Sequence, residues 1–248
     1  MNYILSDLFV QGFAAFAGAF FAFFFTWVAK LVEKAIKRQT LHFNALVKME
    51  NLLNENIGVA HDNIYICKPF ISAISRGNVY YNNLKTIPKD KQILLELHDT
   101  DMINRLFSYY SDIRKMNDDI ETLTTAHALL TQALMENNMS LPHYTTNAQI
   151  LAHKITEIEA FLLQFQTKTL RLQARVRIQL RKDMSLWTKV QRQLIQTNGE
   201  SITDEEVEAE YQILIGELSE IKQASRTEIR EALEQHNLIP TTDSPTQE

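Results

Sequence analysis

With one cysteine, six glycines and five prolines in 248 residues, the chain has little material for several kinds of protein. A lone Cys67 excludes an intrachain disulfide, so an oxidising compartment offers the chain nothing, and the bulk of it is expected on the cytosolic side. Gly and Pro are too few, and too confined to a handful of break points, for the many turns of a sandwich or barrel, which makes the class all-α. No P-loop, G-x-G-x-x-G, H-E-x-x-H or G-x-S-x-G pattern occurs, and nothing around Cys67 marks it as a nucleophile. No catalysis is expected. The seven histidines are scattered and none forms a paired ligand spacing; the nearest is His61-Asp62, followed at a distance by His98-Asp99. Such dipeptides are common at turns and caps, so neither a metal nor a cofactor is expected.

Charge of either sign is missing between Asp7 and Lys30. The stretch from Leu8 to Ala29 is built almost wholly from Phe, Ala and Gly. At about 1.5 Å per residue it matches a hydrocarbon core of about 30 Å, and it reads as a transmembrane helix. Lys and Arg are missing from residues 1–7, whereas Lys30, Lys34, Lys37 and Arg38 follow the apolar run at once. By the positive-inside rule these four set topology, snorkel to headgroups and direct the C-terminal body to the cytoplasm. The same lack of a basic start, with the length of the run, argues against a cleaved signal peptide. Ala14, Gly18 and Ala22, four apart, give this helix one small face that permits close packing against another helix, so self-association is a candidate property. Only Gln11 and Thr26 are strongly polar within it, too little to line an ion pathway in a single copy.

The remainder reads as helices. No Gly or Pro interrupts 30–57, so the apolar helix is expected to continue as a juxtamembrane stalk over 30–58. Residues 59–98 form an irregular and helical connector, with a helix ending before Pro69 and another opened by Pro88 as a first-turn residue. The run around Tyr80 and Tyr81 is the candidate partner loop, because tyrosines offer amphipathic contact area. From Asp99 to about Asn137, apolar residues Ile103, Leu106, Tyr110, Ile113, Ile120, Leu130 and Leu134 keep three-and-four spacing, with Asn117 and His127 in the same seam. Thr146 and Gln149 have capping-box spacing and open the next helix, whose seam Leu151, Ile155, Ile158, Leu162, Phe165, Thr169, Leu172, Val176 reaches a stutter before Trp187. Asn198-Gly199 ends it; Thr203 with Glu206 forms a second capping box, and Ile202 with Val207 a hydrophobic staple. The tail 238–248 has nothing to bury and is expected to be disordered.

A net charge of -5 and a pI near 5.8 give no global attraction to nucleic acid. Locally, Lys168, Arg175, Lys182 and Lys189 recur every seven residues along one face. The acidic last helix offers an internal partner for that stripe: a fold-back near Gly199 would set Lys189 by Glu210 and Lys182 by Glu217. Self-pairing is expected, and nucleic acid is not expected as a partner. The expected fold is therefore all-α, a single N-terminal transmembrane helix over 8–29 followed by an elongated helical bundle or antiparallel coiled coil over 99–237. The expected role is a membrane scaffold or adaptor whose partners are the lipid bilayer and a protein or a second copy. The alternative is a pore-forming or membrane-perturbing oligomer.

Overall fold

The computed structural model describes residues 2–76, 83–136, 139–184 and 202–235, with side chains except those of 2–12, 14, 141, 184 and 221–235. Tyr80, Tyr81, Lys189, Asn198-Gly199 and the tail 238–248 lie outside the described residues. The described residues form five helices in order: α1 (Asn2–Ser75), α2 (Gln92–Glu96), α3 (Thr100–Met135), α4 (Leu141–Met184) and α5 (Asp204–Gln235). No strand occurs among the described residues.

The apolar N-terminal stretch and the first bundle helix are one uninterrupted α1. Its buried residues, Leu46, Met49, Leu53, Asn56, Ala60, Asn63, Cys67, Phe70 and Ile74, advance in alternating steps of three and four, which holds one stripe toward its neighbours. The helix does not end before Pro69, as its sequence suggests, but runs through it to Ser75. Pro69 removes the N–H that would bond the Tyr65 carbonyl, yet both residues lie on the exposed face, where water can take that carbonyl.

Three contacts fix the direction of α4 against α1. Gln173 Nε2 donates to Asn54 Oδ1 at 2.6 Å, Arg177 Nε to Glu50 Oε1 at 2.9 Å, and His42 Nε2 faces Asp183 Oδ2 at 3.6 Å. The order along one helix reverses along the other, so they are antiparallel. Helix α3 runs parallel to α1: Asn56 Nδ2 donates to the Tyr109 hydroxyl at 2.8 Å, and Phe70 meets the edge of His127 with centroids 4.9 Å apart.

Parallel neighbours need a return connection, and residues 83–99 supply it. This segment descends beside α1 with Leu84 and Ile87 buried inward. Its backbone finds no helical partner there, so two buried or half-buried amides take that place. Asn63 accepts from Lys85 N–H and donates to Lys85 C=O, both at 2.7 Å; Asn117 does the same for Ile87 at 2.7 and 2.9 Å. Asn117 therefore clamps the strap rather than filling the seam. Pro88 does not open a helix: α2 begins at Gln92, whose N–H is met by Asp90 Oδ1 at 2.9 Å. Asp99 caps α3 by accepting from Asp101 N–H and Met102 N–H.

The α3 stripe is Met102, Leu106, Tyr109, Ile113, Met116, Ile120, Leu123, His127 and Leu130, again in steps of four and three. Ile103 is only partly buried at its flank. Helix α4 starts earlier than the Thr146–Gln149 pair implies, because Pro142 sits in its first turn, where a missing N–H costs nothing. Thr146 is mid-helix and its hydroxyl donates to Pro142 C=O at 3.1 Å. The α4 stripe from Ile155 to Val176 is buried at every position its spacing names, including Thr169. The expected stutter extends beyond the described residues. Up to Asp183 both continuations are buried: Leu180, four residues after Val176 as the stutter requires, and the polar pair Gln179 and Asp183, which keeps the three-and-four rhythm.

At α5 the Thr203–Glu206 capping box forms as its spacing requires: Glu206 N–H donates to Thr203 Oγ1 at 3.2 Å and Thr203 N–H to Glu206 Oε2 at 2.9 Å. A small second core of Ile57, Leu170, Ala174, Ile178, Val207 and Leu214 joins α5 to α4, with Ile202, Tyr211 and Leu218 packed at its edge.

Candidate functional site

Between Ala15 and Leu41 the side chains of α1 are exposed or at most half-buried, and the first buried one among the described residues is Ala45. Phe16 is 70% exposed and Phe23 72%. Among the described residues no other helix exposes an apolar surface of this length. Its aromatic rings stack along the helix, as in the Phe20–Phe24 and Phe21–Phe25 pairs at 6.5 and 6.4 Å and the Phe24–Trp27 contact. Mean hydropathy reaches 1.8 in this part of α1, which makes it a candidate membrane span. Thr26 closes its hydroxyl on the Ala22 carbonyl at 2.7 Å, so its polarity is satisfied within the helix.

Of the small-face residues, Ala22 and Gly18 are exposed, and a methyl at Gly18 would meet nothing within 4 Å; Ala14 lies in the same helix. Lys30, Lys34, Lys37 and Arg38 are exposed on the stretch that links the apolar run to the bundle. From Lys30 to Ala45 this stalk spans on the order of 20 Å.

The basic stripe of α4 is occupied by carboxylates of the same chain. Lys168 pairs with Asp112 of α3 at 2.9 Å, Arg175 with Asp101 and Asp204 at 3.1 and 3.2 Å, and Lys182 with Glu206 at 3.1 Å. Arg171 reaches Glu208 at 3.4 Å and lies over the Tyr211 ring; Arg181 pairs with Glu210. Arg177 bridges Glu50 of α1 and Glu217 of α5 at 2.9 and 2.8 Å. Burial opposes the Arg177 charge, but the bonds to these two carboxylates outweigh it and raise its pKa.

The register differs from the expected hairpin: Glu217 meets Arg177, not Lys182, and Glu210 meets Arg181. Surface ion pairs contribute little each, so the charge pattern by itself does not select one register. The apolar match of Val207 and Leu214 to Leu170, Ala174 and Ile178 selects it instead.

A second polar group lies where α1 enters the bundle. His42 Nδ1 accepts from His98 N–H at 3.2 Å, its ring stacks on His98 with centroids 5.7 Å apart, and its Nε2 faces Asp183, which also receives Gln179 Nε2 at 3.2 Å. Sequence reading passes over this group. The available signal was the stripe itself, which lands on His42, Gln179 and Asp183 when its rhythm is carried through polar residues.

Asp62 is engaged by Lys85 at 2.7 Å and Asp99 by the α3 cap, so the two His-Asp dipeptides do not converge. Among the described residues no group of three His, Cys, Asp or Glu is arranged to hold a metal ion. Cys67 is buried, and desolvation with the nearby charge of Glu159 pushes its thiol up to about 12, leaving it protonated and inert.

Two depressions mark the bundle surface. One, of about 300 Å³, lies among α3, α4 and α5 and is lined by Arg105, Lys168, Arg171, Arg175 and Asp204 above Tyr109. Its cations are paired, Arg105 with Asp101 at 2.8 Å and the others as above. The other, of about 420 Å³, lies between α3 and α4 far from the apolar segment, with Leu129 and Ile150 exposed at 62% and 64%.

The class these features define is an all-helical protein with a long apolar N-terminal helix. Comparison of the chain with protein-family models, with curated proteins and with solved structures found no match.

Proposed function

We propose that this protein is a membrane-anchored helical scaffold or adaptor. The apolar part of α1 spans the bilayer once, the cluster Lys30 to Arg38 holds the body on the cytoplasmic side, and the coiled-coil body binds a protein partner or a second copy. One observation carries the reading: a single helix, α1, leaves an apolar surface bare over its N-terminal part and supplies the central stripe of the bundle over the rest. Exposed phenylalanines in such numbers would drive aggregation in water, and lipid is the solvent that suits them. The exposed Leu129 and Ile150 offer the body an apolar contact surface. Self-neutralised arginines on α4 favour a protein role over nucleic-acid binding.

A scaffold fits better than a pore. The side chains described between Phe13 and Ala29 present one hydroxyl, and that hydroxyl is bonded within its own helix. Photo-crosslinking from exposed body positions such as Leu129 in native membranes tests the proposal, with protease digestion of sealed vesicles reporting orientation. A discrete protein adduct and digestion only from the cytoplasmic face are expected. A chain recovered in the soluble fraction without adducts refutes the reading.

A further inference from the structure

Helix α5 is attached differently from the other bundle helices. In its described part only Val207, Glu210 and Leu214 are buried, while Ile213 remains 53% exposed. Around these, Ile202, Tyr211 and Leu218 pack at the edge, and five ion pairs flank the contact: Arg171–Glu208, Arg175–Asp204, Arg177–Glu217, Arg181–Glu210 and Lys182–Glu206. Arg175 and Glu210 are buried, but each of these pairs keeps one side chain open to water, where ion pairs are weak singly and are screened by salt. Beneath α5, the surface formed by α4 and Ile57 has an apolar floor of Leu170, Ala174 and Ile178, each four residues from the last, with a small residue at its centre. The rim carries Arg171, Arg175, Arg177, Arg181 and Lys182. A groove with that floor and that rim accepts an amphipathic helix whose flanks are acidic, and α5 displays the type: Val207, Tyr211, Leu214 and Leu218 inward, glutamates on either side.

We infer that the α4 groove beneath α5 is a docking site for an acidic amphipathic helix of the partner protein, and that α5 occupies it in cis as a displaceable plug. This deepens the scaffold reading and rests on it: anchorage recruits the body to the membrane, and displacement of α5 makes binding conditional. Charge complementarity fixes the occupant, because under a neutral or basic helix Arg171, Arg181 and Lys182 would lose their carboxylates and Arg175 and Arg177 would each lose one of two.

The test uses the full chain in lipid nanodiscs and a fluorescein-labelled peptide with the sequence of residues 202–220. A triple variant, Glu206→Lys, Glu210→Lys and Glu217→Lys, detaches α5 from the groove. The peptide is expected to bind this variant at least tenfold more tightly than the wild-type chain, and that gain is expected to disappear when Arg177→Glu and Arg181→Glu are added. Hydrogen exchange provides the second readout. Wild-type amides of 207–220 are expected to exchange at least a hundredfold faster than those of α3, and α3 protection is expected to survive in the triple variant. Equal protection of α5 and α3, loss of α3 protection in the variant, or unchanged peptide affinity would each overturn the inference. Should it fail while body positions still crosslink to a protein in membranes, the scaffold reading stands and the partner uses another face.

Discussion

Replacing Asn63 by Ala should free the return strap without unfolding the bundle. The Asn63 side chain is fully buried and holds both backbone groups of Lys85 at 2.7 Å, in place of the neighbouring strand a sheet would provide. Leaving one buried backbone group unsatisfied costs about 1–3 kcal/mol. Because Lys85 lies at the strap's outer edge, water reaches part of what is released, and the low end of that range, about 1–1.5 kcal/mol, applies to each group. The pair should therefore cost roughly 2–3 kcal/mol, against a total of about 5–15 kcal/mol for a domain. At 1.4 kcal/mol per factor of ten, the amides of 84–87 should exchange about 30- to 150-fold faster, with α3 and α4 amides changed far less. Asn63→Asp should fall between, since a carboxylate still accepts from Lys85 N–H but repels its carbonyl. Hydrogen exchange read peptide by peptide, with a urea melt for the global value, measures both numbers. Unaltered exchange at 84–87 in Asn63→Ala would refute the clamp.

Three further outcomes follow from named groups. His127 is buried on the α3 stripe and desolvation lowers its pKa, so the unfolded chain takes up more protons below about pH 6.5 and stability should fall from pH 7 to pH 5; His127→Leu should flatten that limb in thermal melts, and an unchanged slope would contradict the assignment. Cys67 should resist iodoacetamide at pH 8 in the folded chain and react at the rate of unfolding, whereas rapid native labelling would contradict its burial. Pro69→Ala should raise stability by about 1–3 kcal/mol and Gly58→Ala by about 0.5–1 kcal/mol in denaturant melts, the latter because an added methyl meets nothing within 4 Å; a loss at either site would deny a continuous α1.

Much of the helical plan was legible because it depends on periodicity. The α4 stripe from Ile155 to Val176 and the Thr203–Glu206 box stand where their spacing puts them. What escaped had physical reasons of three kinds. Pro69 and Pro142 look like breaks, but one lies on a solvent-facing side and the other in a first turn, so neither stops a helix. Adjacent pairs such as Met102-Ile103 and Met116-Asn117 each contain a residue that fits a stripe, and hydropathy alone did not choose Met102 and Met116. Asn117 was placed in the helix seam and Asn63, His42 and Asp183 were given no inward role, which hid the strap clamps and the His42–Asp183 contact; only the neighbouring chain, folded back beside them, gives these side chains partners.

The central claim is that the apolar part of α1 lies in a bilayer while the same helix continues outside it into the bundle. Single cysteines at Phe16, Phe20, Phe24, Lys34 and Arg38, each in a Cys67→Ala background, test it by reaction with a membrane-impermeant maleimide in sealed vesicles of known orientation. The account predicts no labelling at Phe16, Phe20 and Phe24, and labelling at Lys34 and Arg38 from the cytoplasmic face alone. Labelling at all five positions would contradict it.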